Sequence, residues 1–290
     1  MSPIERTRDL LARWVVERVG EEAAAWFRGR LEEVRGAIDE KPLYLALGWV
    51  PRRLGKADLR LSAAELAEAG AVRPGFDPVD WSIDQAARIA LVLASYDGDD
   101  RRFKERLETL FKTADIGETI TFYRGLPLYP GQELLVARAR EGARSGMRPV
   151  FEAVAHRNPY PMERFDENAW NHLVLKALFI GTTLDPIQGL DARANPRLAR
   201  MLCDYAHERW AAGRPVSPEL WRCVGPHADD AGLADLARVL ETGGGEERKA
   251  AALALWACPR PEAKALLATV PELLGPIERG EIRWAAFAQG

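Results

Sequence analysis

The chain has 290 residues, 47% of them hydrophobic and 29% charged, which is apolar material for one large core or two small ones. With 40 Lys and Arg against 43 Asp and Glu, the net charge is −3, which argues against the extended basic field that nucleic-acid phosphates demand. Three cysteines without C-x-x-C spacing argue against a disulfide framework, and no run reaches the ~18 consecutive apolar residues of a membrane helix.

The first segment, MSPIERTRDLLARWV, carries charges throughout and lacks an apolar signal core, so a soluble, reduced, cytoplasmic protein is expected. Helical periodicity starts at once. Leu10, Leu11, Trp14, Val15 and Val19 recur at three- and four-residue spacing, and Ala24, Phe27, Leu31 and Val34 repeat the pattern. KPLYLALGWV, from Lys41, could pass for a strand but stands isolated and interrupted by Pro and Gly. Ser62 and Glu65 form a capping box for AAELAEAG, which Gly70 ends.

Ser82 is placed to cap the helix WSIDQAARIALVLASY. Asp99 or Asp100 caps the next, with Phe103, Leu107, Leu110 and Phe111 as its buried stripe. TITFYRGLPLY, the second strand-like segment, reads as the tail of a helix pair and its connection. A short helix over Leu134 to Arg144 follows the Pro130-Gly131 turn. In the last third LADLARVLETG, ERKAAALALWAC, PEAKALLATVPELL and GEIRWAAFAQ succeed one another with Gly or Pro between them.

The expected fold is all-α: short antiparallel helix pairs stacked as an irregular α-solenoid, a HEAT/armadillo-like superhelix. No fixed-period consensus marks a repeat, so a compact helical bundle is the alternative. Ser145-Gly146-Met147-Arg148-Pro149 is the natural boundary between an N-terminal region, 1–145, and a C-terminal region, 146–290, which could be continuous as one domain.

All four histidines lie between Phe151 and His227, among close-set Asn, Asp, Gln and Arg. Polar groups at that density between apolar helix faces must be satisfied by each other, by water or by a ligand. Asp166 caps the helix ENAWNHLVLKALFIG and Gly181 ends it. Asn168, Asn171, His172 and Lys176 fall within about 140° of arc. From Leu173 onward the helix is apolar nearly all round, so Asn171 and His172 read as buried polar groups at its start. They either fix helix packing or meet a ligand.

The Thr182–Asn195 loop exceeds the usual connection of about two to eight residues and carries Asp185, Gln188, Asp191, Arg193 and Asn195. Asn195-Pro196 is an N-cap followed by proline at the first helical position. Asp191 and Arg193 read as a brace pinning the loop, or as a recognition pair. The helix from Pro196 to Ala212 buries Leu198, Met201, Leu202, Tyr205 and Ala206. Arg197, Arg200, Asp204, His207 and Glu208 face outward, with Arg200 and Asp204 spaced as an ion pair. Asp204 and His207 gain interest if that face lines a groove. Cys203 and His207 alone do not make a zinc site. His156 to Pro161 is a stiff connector, and Ser217-Pro218-Glu219-Leu220-Trp221 is a cap, a proline and a short helix with a core aromatic.

No G-x-S-x-G, Walker, H-E-x-x-H or dinucleotide-binding glycine pattern occurs. Asp99-Asp100 lacks the third carboxylate of an aspartate-rich metal motif, Phe103 standing there, and helix capping explains the two acids. No cofactor and no metal are expected.

The segments HRNPYP, FDENAWNHLVLKALFIG, IQGLDARANPRLARMLCDYAHERWAAGR and VSPELWRCVGP resemble the EboA family of metabolite-traffic proteins, most specifically over residues 150 to 227. The resemblance implies a cytoplasmic protein encoded in a biosynthetic and trafficking operon. Such operons move secondary-metabolite precursors, including isoprenoid- or indole-derived ones, towards the cell envelope. It carries over no catalytic residues, and Asn168, Asn171, His172, Asp191, Arg193 and Asp204 are family features of unassigned role.

The resulting expectation is a non-catalytic scaffold or carrier that binds a small-molecule metabolite or operon-encoded proteins, without nucleic acid or membrane insertion. Its binding residues would be Asn168, Asn171, His172, Asp185, Gln188, Asp191, Arg193, Asp204 and His207. The rival is an enzyme using His172, Asp191 or His207 as acid or base. A third reading is a structural subunit whose Trp-rich helices face a partner.

Overall fold

A computed structural model describes residues 1–289. Among them every regular element is a helix, and the single β-type contact is an isolated bridge between Asp58 and Ser82. The all-α expectation holds. The chain divides into two compact units, Met1–Phe165 and Asp166–Gly290.

The first unit contains α1 (Pro3–Arg18), α2 (Glu21–Arg35), α3 (Lys41–Leu54), α4 (Ala63–Val72), α5 (Ile83–Ala94), α6 (Asp100–Thr113), α7 (Ile116–Arg124), α8 (Val136–Ala143), α9 (Arg148–Ala155) and α10 (Tyr160–Arg164). Ser145 to Met147 joins α8 to α9 within this unit. Its hub is α5, contacted by α1, α2, α3 and α7 and buried at every position but Gln85. A helix without a solvent face must be apolar all round, and IDQAARIALVLA nearly is. Its two charges, Asp84 and Arg88, stand one turn apart and neutralise each other. Arg88 Nη1 donates to Asp84 at 3.0 Å, Arg88 Nη2 lies 3.5 Å from Glu118, and Ser82 Oγ donates to Asp84 at 2.6 Å.

The strand-like KPLYLALGWV is α3. Pro42 sits in its first turn, where a missing N–H costs no helical bond, and Leu43, Ala46, Leu47, Val50 and Leu54 bury a single face. The caps fall where local chemistry puts them. Ser62, Asp99, Asp166 and Asn195 each accept from a backbone N–H two or three residues on.

The second unit contains α11 (Glu167–Phe179), α12 (Pro196–Ala211), α13 (Trp221–Val224), α14 (Asp230–Thr242), α15 (Gly245–Ala257), α16 (Pro261–Leu267) and α17 (Pro271–Glu278), then a 3-10 turn over Trp284–Gln289. Here α15 is the hub, contacted by α13, α14, α16 and α17, with Ala250 to Leu255 buried. The turn after α13 reaches α15 so closely that a Cβ on Gly225 would lie 2.2 Å from the Ala254 carbonyl oxygen, so the residue must be glycine. In each unit helices gather around one buried helix. That is nearer to the bundle alternative than to a one-dimensional stack of pairs.

Candidate functional site

The polar residues of the second unit form two clusters. The first is the Thr182–Asn195 loop and its supports. Asn171 is fully buried, and its carboxamide exchanges two hydrogen bonds with that of Asn195. Asn195 Nδ2 donates to Asn171 Oδ1 at 2.8 Å, and Asn171 Nδ2 donates back at 3.2 Å. Asn195 Oδ1 also accepts from Leu198 N at 2.9 Å, so one amide caps α12 and ties it to α11. These groups are consumed by structure.

Glu219, only 4% exposed, supports the loop's entrance. Its carboxylate accepts from Leu184 N at 3.0 Å, Asp185 N at 3.0 Å and Thr183 Oγ1 at 2.9 Å. These bonds compensate the desolvation of a buried charge. Arg222 holds the loop from the next turn. Its Nη1 donates to Asp185 at 2.9 Å, while Nε and Nη2 grip both oxygens of Asp191 at 2.7 Å. The expected brace on Asp191 therefore exists with a different arginine, whose planar fork matches the carboxylate. The Arg193 guanidinium lies over the buried Trp170 ring, 4.7 Å from its centroid, and burial pulls its pKa down against the opposing charges of Asp166 and Glu167.

Sequence reasoning missed Glu219 and Arg222 as partners of this loop. The available signal was two charges three residues apart in PELWR, flanking residues expected in the core.

His172 corrects a second expectation. It is exposed, because the ~100° step from Asn171 turns it outward. Asn168 is also exposed and accepts from Arg197 Nη2 at 3.1 Å. Gln188 is half-buried in the loop. The far end of α11 is not enclosed all round: Phe179 is exposed, with the Lys176 ammonium 5.3 Å from its ring centroid.

The second cluster meets the condition set for Asp204 and His207, since both line a cavity of about 190 Å³ between α12, the turn after α13, and α14. Arg200, Cys203 and His227 share its wall. The Arg200–Asp204 ion pair does not form; both side chains are solvated, where such a pair gains little. His207 Nε2 lies 2.7 Å from Asp235 Oδ1, and His227 Nε2 lies 2.9 Å from the Ala194 carbonyl oxygen. A carbonyl oxygen only accepts, so the His227 ring donates its Nε2–H to Ala194, and the Asp235 carboxylate orients the His207 ring through its Nε2.

Asp235 is 8% exposed, and its Oδ2 has no hydrogen-bond partner. Burial pushes the neighbouring Cys203 thiol up to about 12, with the Asp235 charge adding to the effect, so Cys203 is not a thiolate nucleophile. Asp235 was also missed; its signal is a lone acid between Leu233 and Leu236 on the apolar side of α14.

Among the described residues no group of three or more His, Cys, Asp or Glu is arranged to hold a metal ion, and no helix is long and apolar enough to cross a membrane. A family model described as metabolite traffic protein EboA matches residues 7–225. The match runs from α1 through α13, so it includes Asp204 and His207 and stops short of Asp235. No curated protein and no solved structure matches the chain.

Proposed function

The chain belongs to the EboA family of metabolite traffic proteins, and from that premise we propose that it works in the cytoplasm as a non-catalytic scaffold or carrier for a secondary-metabolite precursor. The ligand group is held in the groove between α12 and α14, and operon-encoded proteins are the partners that deliver or receive it. An isoprenoid- or indole-derived precursor is the class that the family resemblance implies.

The observation that supports this reading is a division of labour among the polar residues. Asn171, Asp185 and Asp191 are spent on holding a loop, whereas Asp204 and His207 share a cavity with Arg200 and His227. At about 190 Å³ the cavity is smaller than the roughly 300–1,000 Å³ that encloses a drug-sized ligand. It suits a polar head group that hydrogen-bonds to the side chains of its wall, with the remainder of the molecule outside.

The test is untargeted metabolite analysis of the protein isolated from its host. The wild type and an Asn168→Ala/His172→Ala control should carry the same compound, and Asp204→Ala/His207→Gln should lose it while keeping its helical content. If the wild type carries no compound and binds no operon-encoded partner, the carrier reading fails.

The enzyme reading has one observation in its favour, the His207–Asp235 hydrogen bond, which orients an imidazole as an acid–base group would be oriented. Chemical conversion of a co-purified compound by the wild type but not by His207→Gln would replace the carrier with a catalyst.

A further inference from the structure

We propose that α3 docks the protein onto an anionic lipid surface. The idea rests on the first unit alone and stands independently of the groove beside α12. α3 contains Lys41, Arg52 and Arg53 and no acidic residue, in a chain of net charge −3. Its inner face is taken up by α2 and α5. The outer face carries Lys41, Leu45, Trp49 and Arg53 at four-residue intervals, with Arg52 beside them. Leu45 is 52% exposed and Trp49 46% exposed, so neither is anchored in the core.

The order of groups along this stripe identifies the partner. The Arg52 and Arg53 guanidinium carbons lie 5.4 and 5.7 Å from the centroid of the Trp49 ring, so cations flank the aromatic. Gly48, next to Trp49, adds no side chain that would hold the indole off a flat surface. Lys41 marks one end of the stripe and Lys56, exposed just past the helix, marks the other. A bilayer interface takes this pattern: indole at headgroup depth, leucine against the acyl boundary, and cations at lipid phosphates. A protein interface would also favour Trp49 and the two arginines, but it disfavours lysine, and two lysines bound this stripe. Two acids touch the stripe: Glu22, 3.8 Å from Arg53 and itself solvated, and Asp39, whose carboxylate accepts from the Lys41 backbone N–H at 2.9 Å. Among the described residues the Arg52 guanidinium and the Lys41 ammonium form no ion pair. The positive charge is therefore available to lipid.

Vesicle co-sedimentation of the full chain decides the matter. Phosphatidylcholine vesicles with about a third phosphatidylglycerol should pellet the protein, neutral phosphatidylcholine vesicles should not, and added salt should release it. Leu45→Ala/Trp49→Ala and Arg52→Glu/Arg53→Glu should each weaken partitioning by about tenfold or more, with helical content retained because none of the four side chains is in the core. The proposal is overturned if the wild type stays in the supernatant with the anionic vesicles, or if either double variant pellets as the wild type does. A dimer in solution that Trp49→Ala dissolves, without vesicle binding, would assign the stripe to a second copy of the chain and would equally overturn it.

Discussion

Asn171 on α11 and Asn195 at the cap of α12 close on each other as a mutual amide pair, with bonds of 2.8 and 3.2 Å. The pair couples helix packing to helix capping, since the oxygen that Asn171 orients is the one that caps α12. Asn171→Ala takes two hydrogen bonds from the half-buried Asn195 carboxamide, which keeps the Arg193 carbonyl and Leu198 N, and opens space at a fully buried position. It should lower stability by about 1–3 kcal/mol, read as a lower urea midpoint at unchanged slope. Asn168→Ala, three residues earlier and exposed, should change it by no more than about 0.5 kcal/mol. Equal effects from the two variants would mean that the amide pair contributes nothing special.

Glu219 and Arg222 hold opposite sides of the same loop, one through backbone amides and the other through carboxylates. Glu219→Gln exchanges an all-acceptor group for one whose NH2 must face donors, at a cost of about 2–3 kcal/mol. Hydrogen exchange at the Leu184 and Asp185 amides should accelerate. Arg222→Lys keeps the charge but loses the fork, so Asp191 should be released while overall stability changes little. Protection that persists in both variants would show that the loop is held by something else.

What was legible in the sequence was local. Ser62, Asp166 and Asn195 cap because the residue and the N–H it meets are two or three positions apart. The dense polar stretch holds the buried Asn158, Asn171, Thr182 and Glu219, but Thr7, Asp84, Arg88, Thr121 and Asp235 are buried outside it. Hidden were the partnerships that span the chain: Glu219 with residues 183 to 185, and His207 with Asp235. Periodicity reports which face of a helix is buried, but not which distant charge meets it. Thus spacing pairs Asp191 with its neighbour Arg193, whereas the fold pairs it with Arg222, and spacing buries His172 beside Asn171, whereas the fold exposes it. The strand-like look of α3 had the same origin, because tertiary burial of one face outweighed Gly48 and Pro42. The resemblance is most specific over residues 150 to 227, yet the family match extends back to residue 7.

Glu65 gives the protein an acid-sensitive joint. Ser62 donates to its carboxylate from backbone and hydroxyl, and Arg18 Nη2 donates from α1 at 2.6 Å. The Ser62 backbone bond first, then Arg18, holds its pKa down to about 2. A folded-state pKa below the unfolded one means that this stabilisation is fully present above pH ~4.5 and is lost as pH falls towards about 2. Glu65→Gln should therefore lower the unfolding midpoint at pH 6 and converge with the wild type near pH 2. Parallel curves across that range would show that the carboxylate is not coupled to folding.

The three cysteines offer a check on the second unit. All are buried, and burial pushes the thiols of Cys203 and Cys223 up to about 12. At pH 8 the thiolate fraction of those two is negligible, so iodoacetamide should leave both unmodified in the native protein and alkylate them once urea exceeds the midpoint. Mass spectrometry of the labelled peptides reads each site separately. The informative comparison is Cys203 in wild type and in Asp235→Asn. Removing the neighbouring negative charge eases thiolate formation, but burial, the larger cause, remains. Cys203 in that variant should stay unreactive as long as α14 remains docked on α12. Rapid native-state labelling of Cys203 in the wild type would show that the wall of the groove opens on the timescale of the reaction, in conflict with a preformed site there.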